Sequence, residues 1–238
     1  DSDRVRETAE QLLAVRPGSA TALEGLAAAA FSRGDHEAAA RFCFRLVETS
    51  PGHFEGWFNL GVAHQKAGRF TDAAQAYAKA ALLREDAPQV HMNLGIVHQE
   101  LGDLPQARKS YERAIALDPS QTAAKWNLAL VLEQSGEADA AEDLYDRLLA
   151  GNPDWQEARF RQGYLRLQRG DFRGSIDAFE RCLALNSAWL EARLNLGIAY
   201  WKVGDRAEAR RAFEHVLAAQ PDCVDALRGL AALALEAE

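Results

Sequence analysis

Four asparagines stand at multiples of one interval. Asn59, Asn93 and Asn127 are 34 residues apart, and Asn195 follows 68 residues later. Each sits in an apolar helical pattern, where Asn is a mediocre helix former because its amide competes for backbone hydrogen bonds. A carboxamide carries both a donor and an acceptor, as a peptide unit does. A row of carboxamides is suited to hold an extended polypeptide by its backbone. A second reading is that each amide holds a neighbouring structural unit by a hydrogen bond. The row is broken at Gly25 and Arg161, which occupy the same place in the interval. Immediately before these positions runs a bulky stripe: Phe58, Met92, Trp126, Phe160 and Leu194. A solvated apolar strip marks a protein-binding site. Packing between neighbouring helices is the alternative.

Other chemistries find less support. His64 and His98 repeat at the same interval and His91 lies two helical turns before His98, but no carboxylate or Cys joins them at ligand spacing, so no metal site is expected. Three cysteines, Cys43, Cys182 and Cys223, are too few and too scattered for a disulfide framework or a zinc ribbon. No GxSxG, P-loop or GxGxxG is present, so neither a catalytic constellation nor a cofactor site is read. A net charge of −8 argues against a nucleic-acid partner, which requires a basic footprint. No apolar run reaches the roughly 18 residues that a membrane span needs. The charged start DSDRVRETAE lacks a signal-peptide core, and a cytoplasmic location is expected. It also lacks an initiating Met, which suggests a piece of a longer protein. Arg outnumbers Lys 22 to 5, which points to a GC-rich, bacterial coding sequence.

The elements that must position the stripe and the asparagines follow from the interval itself. Six full units of 34 residues run without insertion: 20–53, 54–87, 88–121, 122–155, 156–189 and 190–223. Partial units 1–19 and 224–238 flank them, forming one array over 1–238. Apolar residues three or four apart make each unit helical. Position 15 is Gly in all six units, and a Gly after a helix takes the left-handed conformation that ends it. Position 8 is Gly or Ala, position 20 is Ala except at Ser175, and position 24 is aromatic except at Cys43. Small residues there let the two helices of a hairpin approach closely. Position 32 is Pro in four units and blocks continuation of the second helix.

These residues resemble the tetratricopeptide repeat (TPR), a helix–turn–helix unit of 34 residues. The resemblance covers the whole chain, and departs from the family pattern at position 4, with His91, Lys125, Arg159 and Arg193. It implies an all-α fold, a right-handed α-solenoid or superhelix whose A helices line a concave groove. Asn59, Asn93, Asn127 and Asn195 resemble the asparagine ladder in the TPR superhelix of O-GlcNAc transferases. A non-catalytic scaffold is therefore expected, binding a peptide or helix of a partner protein through these asparagines, Arg161 and the bulky stripe. Two further readings are a substrate-recognition arm of a larger enzyme such as a glycosyltransferase, and a self-assembling scaffold. The carboxylate clamp of chaperone-binding members is not matched: around Asn127 stand Met92, Ile96, Glu157 and Arg161, and only the amide and the Arg fit. The terminal partial units each lack a partner helix. Val5, Ala9 and Leu12 at one end, and Leu227, Leu230 and Leu233 at the other, are expected to be exposed and to support a homo-oligomer.

Overall fold

A computed structural model describes residues 2–236 of the protein. Among the described residues there are fourteen helices and no strand. They fall into two compact units, Asp1–Ser135 and Gly136–Glu238. The first holds α1 (Ser2–Val15), α2 (Ala20–Ser32), α3 (His36–Thr49), α4 (Phe54–Lys66), α5 (Phe70–Leu83), α6 (Pro88–Glu100), α7 (Leu104–Leu117) and α8 (Thr122–Gln134). The second holds α9 (Ala138–Gly151), α10 (Gln156–Arg169), α11 (Phe172–Leu185), α12 (Leu190–Val203), α13 (Arg206–Ala219) and α14 (Val224–Leu235). Within each unit, every helix packs on the next one along the chain. The fold is the expected all-α solenoid of helical hairpins. Helices α2, α4, α6, α8, α10, α12 and α14 each begin on the first residue of a 34-residue unit.

Local chemistry sets these boundaries. The glycines at position 15 have φ between 72° and 88°, a region that Cβ-bearing residues avoid. The next residue then starts the second helix, and four of these residues are Asp35, Asp103, Asp171 and Asp205. Each accepts a hydrogen bond from the backbone N–H three residues on, at 2.9–3.2 Å. That satisfies one of the orphan donors at a helix start.

In four of the six full hairpins the core is an aromatic ring laid on a glycine. Tyr77, Tyr111, Phe179 and Phe213 are fully buried. A Cβ built on Gly61 would lie 2.6 Å from the Tyr77 ring, one on Gly95 2.4 Å from Tyr111, and one on Gly197 2.8 Å from Phe213. The small residue at position 8 therefore makes room for the ring at position 24. Where that ring is replaced by Cys43, position 8 carries the larger Ala27, in the same buried cluster.

The terminal helices differ in part from expectation. Val5 and Leu227 are exposed, and Leu12 and Leu230 are half-buried. Ala9 and Leu233, expected on the open faces, are buried instead. Ala9 packs with Ala22 and Leu26 of α2, and Leu233 belongs to the cluster around Phe213. A terminal helix of 12 to 14 residues still buries one stripe against the helices it meets on one side, and these two residues lie on it.

Candidate functional site

Helices α4, α6 and α8 of the first unit carry the residues singled out for binding. Phe58, Met92 and Trp126, one turn before Val62, Ile96 and Leu130, are all half-buried. Phe58 leans its ring on Tyr77, with centroids 5.7 Å apart, and on Phe54 at 6.2 Å. One side of the stripe thus rests on the core and the other meets solvent.

The stripe does not continue uniformly in the second unit. Phe160 is only 7% exposed, which corrects its expected place on an open face. Trp189 stacks on it at 4.8 Å between centroids, and Phe179 and Tyr164 close it from other sides. The residue equivalent to Trp189 in the repeat of Phe58 is Ala87, too small to cover a ring. Leu194 is half-buried against the cluster of Phe213 and Val216. Arg161 is half-buried as well.

The asparagines divide by what faces them. Asn93 donates through Nδ2 to the Tyr77 hydroxyl of the preceding repeat at 3.2 Å. Asn127 occupies the corresponding place beside Tyr111, one repeat further on. Asn93 therefore holds a neighbouring repeat, as the second sequence reading expected, and both amides stay half-exposed. Asn195 is 9% exposed and donates instead to the Glu191 carbonyl of its own helix at 2.9 Å. Its preceding aromatic is Phe179, which has no hydroxyl to offer. Asn59 is half-buried, and its preceding repeat offers Cys43.

The polar groups around this face are engaged structurally. His64 accepts a hydrogen bond at Nδ1 from Arg69 Nε at 3.0 Å, so its ring is neutral; burial first, then the Arg69 charge, lowers its pKa. Arg69 also pairs with Glu37. Burial pushes the Cys43 thiol up to about 12 and the Cys182 thiol up to about 11, so at neutral pH neither is a thiolate nucleophile. Among the described residues, no group of three or more His, Cys, Asp or Glu is gathered for a metal ion. No helix of the described residues is long and apolar enough to cross a membrane.

Sequence reasoning missed one set of residues. The poorly matching position 4 holds Trp57, His91, Arg159 and Arg193, and each reaches the carbonyl six residues back, at Pro51, Glu85, Pro153 and Ser187. The available signal was that each of these side chains can carry an N–H donor.

The fold and this face define a helical-repeat interaction module. Tetratricopeptide repeat models match residues 1–54 and 92–158, residues 54–120, and residues 166–237. The chain belongs to the tetratricopeptide repeat family, and as such is built as a protein-interaction scaffold. No curated protein sequence matches it. Among solved structures it is similar to YrrB, a TPR protein with an unusual peptide-binding site, at 20% identity and a TM-score of 0.72, over 80% of this chain and 98% of that one. The C-terminal part of a TPR repeat-containing protein from Cytophaga hutchinsonii aligns at 16% identity with a TM-score of 0.81, over 96% and 94%. MamA aligns at 22% identity with a TM-score of 0.67, over 71% and 92%. At these identities the likeness is one of fold.

Proposed function

We propose that this chain is a non-catalytic scaffold that captures a peptide or helix of a partner protein on the A-helix face of residues 2–135. The observation that carries this reading is the half-buried stripe of Phe58, Val62, Met92, Ile96, Trp126 and Leu130, flanked by Asn59, Asn93 and Asn127. An apolar strip supplies burial, and amides beside it supply hydrogen bonds that fix the ligand's direction. Arg161, Asn195, Leu194 and Phe160 contribute less to this reading, because Phe160 and Asn195 are covered. The fold shared with YrrB, a peptide-binding TPR protein, agrees with it.

A random peptide display library selected on the chain tests the reading. Selected peptides should lose affinity at least tenfold for Phe58→Glu/Trp126→Glu, with helicity checked by circular dichroism. A folded variant that binds with unchanged affinity overturns it.

A further inference from the structure

A tyrosine hydroxyl has a single proton, and those of Tyr77 and Tyr111 are committed. Tyr77 Oη donates to Gln65 Oε1 at 2.7 Å and accepts from Asn93 Nδ2 at 3.2 Å. Tyr111 Oη donates to Gln99 Oε1 at 3.0 Å, and Asn127 stands in the place that Asn93 holds beside Tyr77. The two relays are one repeat apart and have the same composition. Both rings are buried, while Gln65, Gln99, Asn93 and Asn127 are half-exposed.

Because each hydroxyl donates its proton to a Gln carbonyl oxygen, an Asn on its other side meets only lone pairs and turns its NH2 group to it. The amide that accepts turns its NH2 group away from the hydroxyl, and the amide that donates turns its carbonyl oxygen away. Each relay therefore presents one fixed donor beside one fixed acceptor, on adjacent A helices. A peptide unit carries the matching acceptor and donor. Where position 24 is Phe179, the relay is missing and Asn195 folds back onto its own helix.

We propose that Tyr77 and Tyr111 are positioning residues that hold the Gln65/Asn93 and Gln99/Asn127 amide pairs for the backbone of an extended polypeptide. The inference rests on the A-helix face being the peptide site, and it confines backbone recognition to these two relays. The hydroxyl at position 24 selects which amides of the row serve a ligand. Preorganised amides avoid the ordering cost that free side chains incur on binding.

The test uses a peptide of about a dozen residues selected by display on the wild-type chain, together with its backbone N-methylated series. Tyr77→Phe/Tyr111→Phe should weaken the unmodified peptide roughly three- to tenfold. It should also remove most of the penalty that N-methylation imposes on the wild type, an effect that a loss of packing alone does not produce. Without ligand, the side-chain amide resonances of Gln65, Gln99, Asn93 and Asn127 should shift. The independent variant Gln65→Leu/Gln99→Leu leaves the rings intact and should behave alike. Unchanged affinity and an unchanged N-methyl penalty in a folded variant of either kind overturn the inference, even where Phe58→Glu/Trp126→Glu abolishes binding and the groove stands. Selection of no peptide at all overturns both.

Discussion

Arg159 donates through Nη2 to the carbonyl of Pro153 at 2.8 Å, tying the first turn of α10 to the loop before it. Trp57 makes the same tie to Pro51 through its indole N–H at 2.8 Å, and Arg193 to Ser187 at 2.9 Å. His91 Nε2 lies 3.4 Å from the Glu85 carbonyl. Three residue types at one position of the repeat thus share one function, and the residue type matters less than the donor it carries. The tie leaves a difference behind. The indole has one N–H and uses it, whereas Nε of Arg159 and of Arg193 is buried without a partner.

Arg159→Trp and Arg193→Trp should therefore each stabilise the fold by about 1 kcal/mol, by keeping the tie and removing a buried orphan donor. Arg159→Leu removes the tie as well, and should not gain the same amount. Thermal melts of the three variants check this. A lower melting temperature for both Trp variants contradicts it.

Gly95→Ala should destabilise by about 1–3 kcal/mol, because the new Cβ would stand 2.4 Å from the buried Tyr111 ring. The ring must shift, and its hydroxyl relay with it. Ala at Gly52, where a Cβ meets nothing within 4 Å, is the control. Denaturant unfolding of both variants measures the difference.

Glu142 sits buried between two guanidinium groups, 2.7 Å from Arg166 Nε and 2.5 Å from Arg169 Nη2. Removing its charge leaves Arg166, partly buried, with only the longer contact to Asp146 at 3.8 Å. Glu142→Gln should cost about 3 kcal/mol. The neighbouring Asp143 pairs with Arg147 at 2.7 Å on the open surface, and Asp143→Asn should change stability by less than about 1 kcal/mol. Urea midpoints of the two variants should differ accordingly.

Stability should fall on acidification below about pH 6.5, the ordinary histidine value. Burial lowers the pKa of His64, and Arg69 lowers it further; burial likewise lowers that of His91. In this window the unfolded chain binds more protons than the folded one, so stability rises with pH up to the unfolded value. Above it both states are neutral at these sites and the slope from them vanishes. Protonating His64 also removes the acceptor for Arg69 Nε. His64→Gln should flatten the pH dependence of the urea midpoint between pH 5 and pH 7. An unaltered slope would count against this assignment.

The repeat register was legible because its signals are local. Gly at position 15 acts on the backbone within a few residues, and the 34-residue interval places it in all six full units. The smallness of position 8 was legible too, but not that the ring at position 24 needs it, which only packing shows. The candidate site was legible as a list of positions, not as exposures. Phe58 and Phe160 occupy the same repeat position and read alike, yet Trp189 covers one while Ala87 leaves the other half-open.

The sequence by itself determined that the chain folds as TPR hairpins, where each helix starts, and which residues share the A-helix face. Those outcomes depend on periodicity and turn chemistry along one stretch of chain. Only the tertiary structure decided which members of that face are available. Asn93 and Asn195 are the same residue at the same position, but a hydroxyl on the preceding helix holds the first outward, and its absence lets the second turn inward. Availability is a property of what another helix brings alongside, and packing between helices sets it.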